Sequence, residues 1–220
     1  SYLGPTFRKE NIPAKIIFGE NPLWAVYMPQ LKMVSSKDFT DTILQNYPEA
    51  KDFNLIAAGH GYSLSPDIMP IKVDKEYLKT AILPFEMAEK ADIPVWITEI
   101  SDVNPLDISI HDGLKWAVTF HNYLTKANVN AIIWWGGAMP TSNNESLIIL
   151  DKNRKDFLLS KRYDIFGNFS RYIPEESTRI QVTQSSGIPL LISAYKKDDE
   201  YTLVTINSSK QTIQTSLRLD

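Results

Sequence analysis

Four short runs of β-branched and aromatic residues mark the first two thirds of the chain: Ala14–Phe18, Phe53–Ala58, Pro94–Thr98 and Asn130–Trp135. Each is apolar at successive rather than alternate positions, the pattern of a strand buried on both faces, and each is followed by turn chemistry. Between them the period lengthens to that of a helix. Ser36–Tyr47 brings Phe39, Ile43 and Leu44 onto one stripe, and Asp107–Lys126 does the same for Leu114, Ala117, Val118, His121 and Leu124. Lys75–Ala91 is also helix-like, with Pro84 as a break. Strand and helix therefore alternate, which predicts parallel strands joined by crossover helices and functional loops of the α/β-barrel kind. From about residue 174 the texture changes. Arg179–Thr183, Leu190–Tyr195, Tyr201–Ile206 and Thr212–Leu219 are predicted strands with short polar turns between them, the mark of an antiparallel sheet or small sandwich. Lys152–Tyr172 reads as the helix joining the two parts. The opening Ser1–Pro5 reads as the end of a helix, because Gly followed by Pro stops one. The expected division is residues 1–173 and 174–220.

Composition narrows the class. A chain of 220 residues with 43% hydrophobic and 22% charged residues can bury a core, which excludes a disordered tail or a collagen-like repeat. Its net charge of −3 gives no support for binding to a nucleic-acid backbone. The absence of cysteine excludes disulfides, thiolate metal sites and cysteine nucleophiles. No apolar run reaches the roughly 18–20 residues that span a bilayer, and no signal peptide is present in these residues. Neither a membrane nor a nucleic acid is an expected partner.

Candidate chemistry collects where the predicted strands end. Glu99 closes the third run in Val95-Trp-Ile-Thr-Glu99, and Glu20 follows the first in Ile16-Ile-Phe-Gly-Glu20. Ligands meet an α/β scaffold at the carboxyl ends of its strands, so these carboxylates stand where chemistry is done. Gly59-His-Gly-Tyr62 follows the second run, and Trp134-Trp135 closes the fourth. Sugars stack their C–H faces on such rings and offer hydroxyls to carboxylate and imidazole partners, so two carboxylates among aromatics favour a sugar-cleaving site. Alternation sends one of Trp134 and Trp135 inward and the other away. Other chemistries lack their motifs: there is no Gly-x-Ser-x-Gly elbow, no phosphate loop and no dinucleotide fingerprint, and His60, His111 and His121 have no metal-ligand spacing. No metal and no cofactor are expected.

The residues also resemble a known family. Ala14–Glu20, Ala58-Gly-His-Gly-Tyr62, Val95–Glu99, Ile133-Trp-Trp135, Gly167–Ile173 and Thr178-Arg-Ile180 follow one another as in glycoside hydrolase family 30, over about residues 2 to 207. The resemblance implies an α/β fold, the C-terminal half of a (β/α)8 TIM barrel (strands 5 to 8), followed by strands of a side β-sandwich. It implies Glu99 as the catalytic nucleophile, with His60, Tyr62 and Trp135 lining the sugar cleft, Trp134 beside them, and Glu20 and Trp24 on the loop after strand five. It further implies a retaining endo-glycosidase secreted or periplasmic in location, acting on β-linked plant polysaccharide, xylan first. A β-1,6-galactanase, a β-glucosidase-type enzyme or a non-catalytic carbohydrate-binding fragment are the alternatives.

Two departures from the family pattern shape these expectations. The family's acid/base is the Glu of an Asn-Glu-Pro motif, and no such tripeptide occurs here; the expected acid/base lies upstream of Ser1, on a missing N-terminal half that would be a partner of this chain. After Trp134-Trp135 the glucuronoxylanase branch carries an arginine for a glucuronate side group, whereas Gly136–Ile148 contains neither Arg nor Lys. Glucuronate dependence is therefore not expected.

Overall fold

The computed structural model describes residues 3–25, 34–62, 82–153 and 155–218. They group into two compact units, one of Ser1–Asp107 with Asn122–Leu159 and one of Ile108–His121 with Ser160–Asp220.

The first unit is built on four parallel strands, β1 (Ile16–Phe18), β2 (Leu55–His60), β3 (Val95–Ile100) and β4 (Ala131–Trp134), hydrogen-bonded in chain order. All four predicted runs form strands. Helices α1 (Leu3–Lys9), α2 (Ser36–Asn46) and α3 (Glu86–Lys90) fall in this unit, and α4 (Ile110–Thr125) contributes its last turn. A small second sheet joins β5 (Ala138–Met139), β6 (Ile148–Asp151) and β7 (Asp156–Leu159). Ala57, Ala58, Val95, Ile97 and Ile100 are buried along the middle strands, with Trp24, Phe85 and Tyr123 packed ring to ring nearby.

Several local expectations are corrected. Gly4-Pro5 opens α1 rather than ending a helix, because the first-turn amides have no intrahelical acceptor and a proline there forfeits no hydrogen bond. In α2 the buried stripe is Ser36, Thr40 and Leu44, while Phe39 is 49% exposed. The reason is close approach: a Cβ on Gly59 would lie 2.6 Å from the Ser36 side chain, so small residues let helix and strand backbones come together where Phe would not fit. In α4 the deepest residues are Trp116, Phe120 and Tyr123, with Ala117 and His121 shared with the expected stripe. The aromatic rings bury the most apolar area. Of the helix expected over Lys75–Ala91, residues 75–81 lie outside the described residues, and α3 forms after Pro84.

The Lys152–Tyr172 segment is part hairpin. Asp151 pairs with Asp156, Asp151 Oδ1 accepts the Asn153 amide, and Lys155 takes a φ of 53°, a left-handed conformation that no helix interior tolerates. Helix α5 (Lys161–Ser170) starts only after Ser160, whose hydroxyl accepts the Tyr163 amide at 3.3 Å.

In the second unit, β8 (Thr178–Ile180), β9 (Leu190–Lys197) and β10 (Glu200–Asn207) form an antiparallel sheet in the order β10-β9-β8. Phe120 meets Phe166 and Phe169 edge to face, and Arg162 donates to Asp112 at 2.5 Å with both side chains buried. The strand expected over Thr212–Leu219 is absent among the described residues, where 212–218 have no strand partner to take their backbone hydrogen bonds. Among the described residues no helix is long and apolar enough to cross a membrane.

Candidate active site

The carboxyl ends of the parallel strands bring Glu20, His60, Tyr62, Glu99 and Trp135 to one edge of the first unit's sheet. β3 carries an extra residue there. Gly59 pairs with Ile97 but His60 pairs with Glu99, and on the other side Ile97 pairs with Ile132 while Ile100 pairs with Trp134. The surplus falls at Thr98-Glu99, so Ile97 and Ile100 are both fully buried while Thr98 and Glu99 between them are partly exposed. A bulge of this kind re-aims a side chain that strict alternation would constrain.

The Glu99 side chain keeps 25% of its exposure. Its Oε1 accepts the Tyr62 hydroxyl, and His60 Nδ1 stands 3.7 Å from the same oxygen. Among the described residues no donor reaches Oε2. On its other side His60 Nε2 lies 3.4 Å from Glu20 Oε1, so the imidazole sits between two carboxylates, and its ring meets Tyr62 edge-on at 5.7 Å. Backbone bonds fix these positions: His60 N donates to the Asn21 carbonyl at 2.9 Å and Gly61 N to the Glu99 carbonyl at 2.8 Å. Burial, first, and the hydrogen bond to Glu99, second, push the Tyr62 phenol well above the usual tyrosine range. The charges of Glu99 and Glu145 add to the rise, and the Ser101 hydroxyl opposes it.

The tryptophans part company. Trp135 is 50% exposed and its amide donates to the Ile100 carbonyl at 3.0 Å, which anchors an open indole face beside the end of β3. Trp134 is buried, with its indole N–H on the Glu145 carbonyl at 2.8 Å. Trp24 is 0% exposed; it packs on Phe85 at 4.4 Å and donates to the Leu83 carbonyl at 3.0 Å. Both were expected near the cleft and both are core, because each indole N–H finds a backbone acceptor inside.

Glu145 was not foreseen. It lies ten positions beyond Trp135 in a polar loop, but Gly136, at a φ of +85° where side chains are disfavoured, folds that loop back. Leu147 N then donates to the Gly136 carbonyl and Ile148 N to the Gly137 carbonyl. Among the described residues no group of three or more His, Asp and Glu is placed to hold a metal ion.

A pair of carboxylates, a phenol, an imidazole and an open indole can accept from, donate to and stack on a hydroxylated ligand. No family model matches the chain. It is 25% identical over 182 residues to the glucuronoxylanase XynC of Bacillus subtilis strain 168, which covers 79% of this chain and 36% of that protein. In fold it is similar to the catalytic domain of the family 30 xylanase C from Talaromyces cellulolyticus, with a TM-score of 0.68 and 20% identity over 93% of this chain and 42% of that one. The endo-β1,6-glucanase BT3312 matches with a TM-score of 0.63 and 16% identity over 95% and 45% of the two chains. The chain thus spans less than half the length of these relatives. In sequence and in fold the chain is thus similar to part of a family 30 xylanase.

Proposed function

We propose that this chain carries the nucleophile-bearing part of a retaining glycoside hydrolase acting on β-linked plant polysaccharide, with β-1,4-xylan as substrate. One observation carries the reading: Glu99 stands at the end of β3 with a quarter of its side chain exposed and one carboxylate oxygen held by Tyr62. A sugar ring stacked on Trp135 would offer its anomeric carbon to this carboxylate. Glu99 attacks through an oxocarbenium-like transition state to form a glycosyl-enzyme, and a carboxylic acid about 5–5.5 Å away protonates the leaving oxygen and then activates water. Following the family pattern, that acid/base belongs to a segment outside this chain, β1 to β4 are barrel strands five to eight, and residues 174–220 belong to a side β-sandwich. The remainder of the barrel would cover the exposed edges of β1 and β4. A polymeric substrate points to a secreted or periplasmic enzyme.

A β-1,6-linked glucan is the second reading, favoured by the fold likeness to the endo-β1,6-glucanase. The test is the full-length protein that contains this chain, offered xylan, β-1,6-glucan and β-1,6-galactan, with Glu99→Gln alongside. Xylan cleavage with retained anomeric configuration, lowered at least about 10³-fold by Glu99→Gln, is expected. Unchanged turnover in the variant would overturn the assignment, and product from the 1,6-linked polymers alone would replace xylan with the second reading.

A further inference from the structure

We propose that Glu20 is a positioning residue of this site: acting through the His60 imidazole, it holds the ring against the Glu99 oxygen that Tyr62 also binds. The inference rests on the glycosidase reading above and deepens it. The contacts form a chain. Glu20 Oε1 lies 3.4 Å from His60 Nε2, and the other ring nitrogen, Nδ1, lies 3.7 Å from Glu99 Oε1. The Tyr62 hydroxyl donates to that same Glu99 oxygen. Among the described residues neither Glu20 nor Glu99 is ion-paired with a lysine or arginine, so the imidazole is the group that faces both.

The loop that carries Glu20 is tied down on both sides. Gly19 takes a φ of +82°, and a Cβ there would run into Thr40 Oγ1, so the chain leaves β1 through a turn that only glycine fills. The Asn21 carbonyl then accepts the His60 amide at 2.9 Å and the Ser36 hydroxyl at 3.0 Å. Asn21 Oδ1 accepts the Leu23 amide at 3.0 Å, and the Leu23 carbonyl accepts the Ser36 amide at 2.7 Å. The backbone beside Glu20 is therefore in register with His60, the residue its side chain meets. Glu20 itself packs little: its side chain keeps 49% of its exposure against 17% for His60. Substituting it tests the contact rather than the fold.

The two nitrogens of an imidazole are not equivalent, and the ring torsion is broad enough to exchange them. Tyr62 meets the ring edge-on at 5.7 Å, which limits its tilt but does not distinguish one nitrogen from the other. A carboxylate beyond Nε2 does distinguish them, because it anchors that end and leaves Nδ1 toward Glu99. Glu99 Oε1 then lies between a phenol and a fixed imidazole, which sets the plane of the attacking carboxylate. Misalignment of a nucleophile lowers the rate of attack more than it lowers substrate affinity. Glu20 thus acts on turnover without touching the sugar.

The test is a double-mutant cycle in the full-length protein that contains this chain. Hydrolysis of xylan, β-1,6-glucan and β-1,6-galactan is measured for the wild type, Glu20→Ala, Glu20→Gln, His60→Ala and the double variant that combines the two alanines. Glu20→Ala is expected to lower kcat about tenfold with KM changed by less than about twofold, and Glu20→Gln, which keeps an acceptor oxygen, to recover part of the loss. The double variant should be no slower than His60→Ala, because the effect passes through the ring. Nitrogen NMR of the His60 ring in the Glu99→Gln protein, without substrate, gives a readout that a packing role would not move: Glu20→Ala should shift the Nε2 resonance. Losses that add in the double variant, a kcat unmoved by Glu20→Ala, or an unmoved Nε2 resonance overturns the role of Glu20 while the glycosidase reading stands. A wild-type protein that hydrolyses none of the three polymers overturns both.

Discussion

Tyr62 holds one carboxylate oxygen of Glu99, and on the proposed reading it orients the nucleophile. Removing that hydroxyl while keeping the ring should leave substrate binding nearly intact. Tyr62→Phe is expected to lower kcat by about tenfold to a hundredfold, the worth of one hydrogen bond to a charged group, with little change in KM. The raised proton affinity of the phenol also has a signed consequence for stability. An unfolded tyrosine ionises near pH 10, while folded Tyr62 holds its proton beyond that. The stabilisation is therefore complete below about pH 10 and lost as the pH climbs further. Tyr195 is shifted the same way, chiefly by burial. Denaturant unfolding of the full-length protein above pH 10 should show falling stability, with a shallower fall in Tyr62→Phe; an identical slope would contradict the shift. At this scale the placement of Glu99, His60 and Tyr62 at or just past strand ends was legible from the chain, because each follows or closes an apolar run. Trp24 was not, since nothing in the sequence reveals that its N–H finds the Leu83 carbonyl. Glu145 was hidden by a loop whose closure depends on the backbone of Gly136 rather than on any pattern of side chains.

Elements were legible where burial is two-sided and illegible where a single residue decides a boundary. The four parallel strands follow from unbroken apolar runs, but the bulge at Thr98-Glu99 leaves no trace in composition or periodicity, because it shows only as a mismatch with two neighbours. Ser160 is the opposite case, a boundary carried by one hydroxyl. Apolar residues on both sides of it read as one helix, yet the chain pairs as β7 before Ser160 and coils as α5 after it. Ser160→Ala should therefore destabilise the full-length protein by about 1 kcal/mol and lower its Tm, while Ser160→Asp, which also caps, should restore most of the loss. A cost shared equally by Ala and Asp would show that burial of Ser160, not capping, is what matters.

For the whole molecule, the change from parallel to antiparallel pairing was legible as a change in strand spacing, whereas the fate of residues 212–218 was not. A strand-like segment stays a strand only if a neighbour takes its hydrogen bonds, and that depends on what else is present. The chain-order pairing of β1 to β4 has a consequence for how the molecule forms. Each parallel contact closes a loop of about 35–40 residues, and because closure entropy grows only logarithmically with length, all three closures are almost equally unfavourable. Loop length therefore chooses no starting point, and burial must. Ala57, Ala58, Val95, Ile97 and Ile100 are buried, while Ile17 of β1 and Ile133 of β4 remain exposed, so β2 and β3 should pair first. Ile97→Val is expected to slow refolding of the full-length protein more than Ile17→Val does at matched loss of stability, and the reverse order would refute this. On that route the register slip that aims Glu99 is set in the folding nucleus, and its carboxylate is positioned before the edges of its own sheet exist.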